Sequence, residues 1–97
     1  MNRQTVLDIV SRHRAEMARR FGVKSLALFG SMARDEAGSA SDVDMLVEFH
    51  ETPGLREYMG LKFWLEELLG RPVDLVMKGA LKPWARSVVE AEAIIVA

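Results

Sequence analysis

The sequence contains no cysteine, only three prolines and a single tyrosine. The absence of cysteine excludes disulfide bonds and thiolate metal sites, and it fits a reducing cytoplasm, where we expect the protein to be. No apolar run approaches the roughly 20 residues that a membrane-spanning helix needs, and charges interrupt the N-terminal segment, so we expect neither a membrane association nor a signal peptide. A formal net charge of −1 argues against a protein that coats nucleic acid, and we expect no direct nucleic-acid binding.

The composition is that of one small globular domain, which we expect to span residues 1–97. Apolar residues make up 49% and charged residues 28% of the 97 positions, a balance typical of a folded protein. We find no internal repeat and no low-complexity tract that would divide the chain. The sequence therefore predicts a single hydrophobic core.

Hydrophobic periodicity predicts alternating helices and strands. The two longest predicted helices should end at Gly22 and Gly70, because glycine readily takes the left-handed conformation that closes a helix. The order of elements predicts an α/β fold, a small mixed β-sheet of three to four strands with helices packed on one face. The predicted helices occupy residues 6–21, 31–35, 55–69 and 81–90, and the predicted strands occupy residues 24–29, 42–49, 72–77 and 94–96.

The most informative stretch is a Gly-Ser pair followed, after ten residues, by Asp-x-Asp. Backbone N–H groups and the hydroxyl at Gly30 and Ser31 can hold phosphate oxygens, and glycine allows the backbone a close approach. The carboxylates of Asp42 and Asp44 can hold Mg²⁺, because hard cations prefer oxygen ligands. Chance produces both pairs at one spacing in roughly one in a thousand chains of this length. A transferase that uses nucleoside triphosphates needs such a phosphate cradle within one loop of a metal site.

Strand periodicity predicts which face these carboxylates share. Asp42 and Asp44 alternate with an apolar set, so they should lie together on the face opposite the core. Asp74 alternates with apolar neighbours in the third strand and should emerge on the same face. If the two strands are neighbours, the three carboxylates converge. The alternatives are a surface Asx turn before the second strand and an ordinary exposed aspartate in the third.

The charges suggest a mechanism, because a triphosphate and a cluster of aspartates are all anionic and only divalent cations reconcile them. We expect two Mg²⁺ ions. One, held by Asp42 and Asp44, would bridge triphosphate oxygens, and the second, also touching Asp74, would lower the pKa of the attacking hydroxyl. Arg34 is a candidate to neutralise phosphate charge, with a solvated arginine as the alternative. Attack at the α-phosphate would release pyrophosphate.

This pattern resembles the minimal nucleotidyltransferases of the DNA polymerase beta-like superfamily over residues 24–90, most of the chain. The resemblance implies the core fold of that superfamily, ATP as a bound substrate, and a third acid, Asp74, that completes the metal site and helps take the proton from the attacking hydroxyl. Asp35 departs from the pattern, since many relatives carry glycine there. The matching residues are Gly30-Ser31, Ala33-Arg34, Ser41-Asp42-x-Asp44, Leu46-Val47-Glu48-Phe49, Val73-Asp74-Leu75-Val76 and Leu81-Lys82-Pro83.

The acceptor should bring its own binding surface, because the chain has no room for a second substrate domain. The helix at 55–69 carries more large apolar side chains than one sheet can cover, which predicts a partner surface. We expect Trp64 to be its exposed member, with Leu61, Leu65 and Leu68 as the inner face. The resemblance implies an antitoxin that forms a hetero-oligomer with a HEPN-family RNase toxin and transfers AMP to a toxin tyrosine. Two alternatives stay open, a binding-only antitoxin and a small-molecule nucleotidyltransferase with a separate substrate-binding subunit.

Overall fold

The computed structural model describes residues 1–36, 38 and 41–96, and its centre is a four-stranded sheet in the order β3-β2-β1-β4. Strand β1 is antiparallel to both β2 and β4, whereas β2 and β3 are parallel. The predicted mixed sheet is therefore confirmed, including its short fourth strand. The strands are β1 (Val23–Phe29), β2 (Val43–Phe49), β3 (Val73–Met77) and β4 (Ile94–Ile95).

Five α-helices and one short 3₁₀ turn, Lys78–Ala80, connect the strands within the described residues. As predicted, Gly22 and Gly70 close the helices before them in the left-handed conformation, with φ of 70° and 69°. No helix in the described part of the chain is both long and apolar enough to cross a membrane. The helices are α1 (Arg3–Ser11), α2 (Arg14–Phe21), α3 (Gly30–Ala33), α4 (Leu55–Leu69) and α5 (Pro83–Glu92).

The prediction of one N-terminal helix was wrong, because the chain bends between α1 and α2. His13 leaves the helical region, with φ −107° and ψ 15°, and its carbonyl accepts the N–H of Met17 at 3.0 Å as the second helix begins. The bend still leaves Val10 and Met17 fully buried on one face. A break of this kind leaves the apolar period intact, so the sequence pattern alone did not reveal it.

One face of the sheet packs against α1, α2 and α4 to form the core. The inner face of α4 consists of Leu61, Leu65 and Leu69, which are at most 4% exposed. The prediction that Leu68 would complete this face was wrong, since Leu68 is only half-buried and Leu69 takes its place. The strand residues buried against these helices include Leu26, Leu28, Val43, Met45, Val47, Val73 and Leu75.

Trp64 is not the exposed member of α4, which corrects the expectation from the sequence. Its ring packs edge-on against His13, with centroids 5.5 Å apart, and lies 5.8 Å from the ring of Phe21. The side chain thus closes the junction between α2 and α4. The exposed apolar residues of α4 are Leu55, at 77%, and Phe63, at 57%.

Candidate active site

Asp44 and Asp74 lie side by side on neighbouring strands. Strands β2 and β3 run parallel in a register that pairs Asp44 with Asp74, between buried pairs formed by Val43 with Val73 and Met45 with Leu75. Paired residues of adjacent strands project from the same face, and the strands are about 4.8 Å apart. The predicted common face for these two aspartates is therefore present, on the side opposite the helical core.

The charge of Asp44 is destabilised by its surroundings. Partial burial raises the pKa of Asp44, and the nearby charges of Asp74 and Asp42 raise it further. The folded chain therefore binds the proton of the Asp44 carboxyl group more tightly than the unfolded chain does. Its free energy of unfolding then falls as the pH rises from the unfolded pKa of Asp44 to the folded one, and the cost persists above that interval. Asp42 contributes from just before β2, where it is exposed.

The donor chemistry of the three aspartates suits a hard cation such as Mg²⁺, which prefers carboxylate oxygens. Carboxylates at paired positions of adjacent strands, whose backbones lie about 4.8 Å apart, can also be bridged by one small ion. As the side chains stand, however, no group of three histidine, cysteine, aspartate or glutamate residues among the described ones is arranged to hold a metal. Like charges repel one another, so a bound cation would be needed to draw these carboxylates together. Asp42, Asp44 and Asp74 would be the ligands.

Gly30, the first residue of the predicted phosphate cradle, touches the carboxylate of Asp44. Its φ is +73°, a conformation that L side chains rarely adopt. A Cβ placed on Gly30 would overlap Asp44 Oδ2 and would lie 3.0 Å from Asp44 Cγ. Only glycine therefore fits here, and the backbone expected to bind phosphate lies directly against a carboxylate expected to bind metal. Ser31 follows in α3, half-buried.

The short helix α3 is held in place from both sides. Met32 and Ala33 are 1% and 4% exposed and anchor it in the core. Arg3 donates from Nη1 to the Ala33 carbonyl at 3.1 Å, and the Arg3 N–H donates to Asp35 Oδ1 at 3.2 Å. Asp35, the departure from the pattern of the resemblance, has a left-handed φ of 60°, a conformation that glycine adopts more readily. Its carboxylate is thus engaged with α1.

Arg34, the predicted phosphate-binding arginine, is held by two glutamates. Its Nη1 lies 2.9 Å from Glu92 Oε2, and its Nε lies 3.3 Å from Glu36 Oε2. These hydrogen bonds, the one to Glu92 first, raise the pKa of Arg34 above its ordinary value. The second oxygen of Glu92 accepts the N–H of Gly30 at 3.0 Å. Sequence reasoning missed Glu92, because it lies 58 residues from Arg34 in the chain and belongs to no motif.

A second glutamate outside the motifs fixes the start of β3. Glu66 Oε2 accepts the Val73 N–H at 2.9 Å and the Lys62 ammonium at 3.0 Å. The hydrogen bond from Val73 lowers the pKa of Glu66, and Lys62 lowers it further. Glu66 therefore orients the backbone one residue before Asp74. In the sequence it is only one member of a Lys-Glu pair at helical spacing, which gives no sign of this role.

The loop between α3 and β2 contains Ala37, Ser39 and Ala40, which lie outside the described residues. In its described part, the Gly38 N–H donates to Ser41 Oγ at 2.9 Å. Arg71 donates to the Gly38 carbonyl at 3.1 Å. Arg71, two residues before β3, thus supports the loop that leads to Asp42.

Two cavities border the sheet at a distance from the motif. One of about 210 Å³ is lined by residues that include Ala27 and Leu46, on the aspartate-bearing face, together with Glu90 of α5 and Ala93, which follows that helix. Another, of about 390 Å³, lies where β2 and β3 end, beside residues 47–53 and 77–80. Neither of these two cavities is lined by a predicted site residue.

Comparison with known proteins agrees with this geometry. The protein adenylyltransferase MntA of Thermococcus cleftensis is 43% identical over 93 residues, which cover 96% of this chain and 94% of that protein. A solved structure provisionally named a minimal nucleotidyltransferase superposes with a TM-score of 0.82 at 39% identity, covering 97% of this chain and 95% of that one. The solved complex of a tri-AMPylated Shewanella oneidensis HEPN toxin with its MNT antitoxin shares the fold, with a TM-score of 0.67 at 18% identity and coverage of 94% and 71%. The family model for the nucleotidyltransferase domain matches residues 10–96, and the chain belongs to that family.

Proposed function

We propose that this nucleotidyltransferase is an antitoxin that transfers AMP from ATP, with Mg²⁺, to a tyrosine hydroxyl of a HEPN-family toxin and so neutralises it. The observation that carries the proposal is the contact between the Gly30 backbone and the Asp44 carboxylate, with Asp74 alongside. A phosphate-binding backbone and a dicarboxylate are needed together only where a polyphosphate is held beside a metal.

In the proposed reaction the tyrosine oxygen attacks the α-phosphorus of ATP. A new oxygen–phosphorus bond forms, the bond to the bridging oxygen breaks, and pyrophosphate leaves. Gly30 and Ser31 hold the terminal phosphates, and Asp74, exposed at the edge of the site, helps accept the hydroxyl proton. Asp42, Asp44 and Asp74 would hold Mg²⁺, which would supply charge neutralisation and lower the pKa of the attacking hydroxyl.

A protein acceptor is supported by the name of the relative that is 43% identical, a protein adenylyltransferase. The HEPN class of toxin is supported by the AMPylated complex that shares the fold. If the chain binds a HEPN-family toxin, the two proteins form a hetero-oligomer. Neither of the two cavities that border the sheet is lined by Asp44 or Asp74, whereas a small-molecule substrate is usually enclosed in a pocket.

The test mixes the purified chain, the toxin that copurifies with it, Mg²⁺ and ATP labelled at either the α- or the γ-phosphate. We expect α-label but not γ-label on the toxin, and none when the toxin tyrosine is changed to phenylalanine. Asp74→Asn should reduce labelling by at least ~10²-fold, the scale of losing a major electrostatic stabiliser. The matched control is Asp8→Asn, which should label normally, because Asp8 is an exposed residue of α1 whose carboxylate accepts a hydrogen bond from Gln4.

The same variants decide between catalysis and simple binding. A chain that carries both Asp44→Asn and Asp74→Asn should still form the complex, because neither residue belongs to the exposed apolar surface of α4. It should fail to protect cells from the toxin. Protection equal to that of the wild type would establish a binding-only antitoxin. Label on a small molecule rather than on the toxin would instead favour a small-molecule nucleotidyltransferase.

A further inference from the structure

The carboxylate of Glu92 occupies two donors that the triphosphate would use. Glu92 is the last residue of α5, and its side chain is 26% exposed. One oxygen accepts the Gly30 N–H at 3.0 Å, and the other accepts Arg34 Nη1 at 2.9 Å. A carboxylate that bridges a backbone N–H and a guanidinium group makes the contacts with which these groups also hold a phosphate.

The Glu92 carboxylate and a triphosphate cannot both use all of these donors. Gly30 has a single N–H, so a phosphate oxygen can take it only if Glu92 releases it. Arg34 has further donors, but a glutamate left beside a triphosphate would repel it. Glu92 also adds negative charge beside Asp44, Asp74 and Asp42, where a polyanion must approach.

We propose that Glu92 is an internal competitor of the nucleotide, whose carboxylate holds the phosphate cradle in the free chain and is displaced when the triphosphate binds. This inference rests on the proposed function, since it concerns the same nucleotide site. The alternative role of Glu92 is to position Arg34 so that Arg34 can bind phosphate. The two roles differ in sign, because removing a competitor strengthens nucleotide binding, whereas removing a positioning residue weakens it.

The surroundings allow Glu92 to leave without unfolding the C-terminal segment. Helix α5 has no buried side chain, so few packing contacts oppose a local shift. The backbone just beyond it is fixed, because Ile94 and Ile95 pair with β1 and the Val96 N–H donates to the Leu26 carbonyl at 2.8 Å. Because this backbone stays in place, Glu92 would free the Gly30 N–H by rotating its side chain and not by moving the C-terminal strand.

The experiment measures binding of a non-hydrolysable ATP analogue, with Mg²⁺, by calorimetry on the full chain. Glu92→Gln removes the charge and keeps the shape, and Glu92→Ala removes the acceptor altogether. We expect both to bind the analogue about tenfold more tightly, the scale of one charge-assisted hydrogen bond that no longer competes. The matched control is Glu90→Gln on the same helix, which pairs with Lys78 at 3.8 Å and should bind like the wild type.

A second ligand locates the competition. AMP lacks the two terminal phosphates, so its affinity should be equal in the wild type and the Glu92 variants. Unchanged or weaker binding of the triphosphate analogue by both Glu92 variants, with Glu90→Gln normal, would overturn the inference and leave the wild-type site intact. If the wild type and all variants fail to bind the analogue, the proposed function falls, and this inference falls with it.

Discussion

Replacing Gly30 by alanine should separate the cost of a strained backbone from damage to the catalytic site. Gly30 has φ +73°, and an added Cβ would overlap Asp44 Oδ2. Gly22 and Gly70 have nearly the same backbone, with φ of +70° and +69°, but an added Cβ at either meets no atom within 4 Å. These two glycines are therefore matched controls, which carry the strain without the overlap.

The magnitudes follow from this comparison. A left-handed backbone costs an alanine about 1–2 kcal/mol, and the reduced freedom of the unfolded chain returns about 0.4–1 kcal/mol. The net loss of about 1 kcal/mol corresponds to about 4–8 °C in Tm for a domain of this size. Gly22→Ala and Gly70→Ala should show this loss alone. In Gly30→Ala, Asp44 Oδ2 must also move by about 1 Å to reach ordinary contact, and a displacement of that size can reduce the rate by about 10²-fold.

The assay pairs thermal unfolding with initial rates of AMP transfer for the three alanine variants. Gly30→Ala should lose about 10²-fold in rate. Gly22→Ala and Gly70→Ala should transfer AMP at the wild-type rate when the assay temperature lies well below their lowered Tm. In an Asp44→Ala background, Gly30→Ala should lower the Tm by less than it does in the wild type, because the overlapping oxygen is gone. Equal rates for all three variants would refute the contact between the phosphate cradle and Asp44.

Two further predictions concern Asp44 and α4. Because the pKa of Asp44 is raised, Asp44→Asn should raise the Tm of the metal-free chain at pH 7, with the gain vanishing below the unfolded pKa of about 3.9. Mg²⁺ should stabilise the wild type but not Asp44→Asn. If the Tm of metal-free Asp44→Asn at pH 7 is no higher than that of the wild type, the charge argument is contradicted. Trp64→Ala should cost about 2 kcal/mol of stability, because its half-buried ring packs against His13 and Phe21. Phe63→Ala should shift stability by less than about 0.5 kcal/mol but weaken the toxin complex about tenfold. If unfolding shows the larger loss of stability for Phe63→Ala and calorimetry shows the weaker complex for Trp64→Ala, then Trp64 and not Phe63 belongs to the partner surface.

The sequence could predict the parts of the site that depend on spacing along one element. Period-two alternation correctly places Asp44 and Asp74 on one face, because strand geometry leaves no other arrangement once the strands are neighbours. Glu66 and Glu92 were not predictable, since each reaches the site from a helix whose packing is decided by distant contacts. The environment of Trp64 was missed for the same reason, because it depends on the bend before α2.

Two local costs meet in this small region of the fold. Asp35 holds a left-handed backbone, and Asp44 carries its charge partly buried beside another carboxylate. Strain and like-charge repulsion destabilise the free chain, and they are retained where the surrounding structure uses them. A partner that bound only the exposed surface of α4 would gain nothing from aspartates at 44 and 74, since asparagines would fit there at lower electrostatic cost. A cation between the carboxylates would relieve the electrostatic cost at neutral pH, and this favours the catalytic antitoxin over the binding-only one.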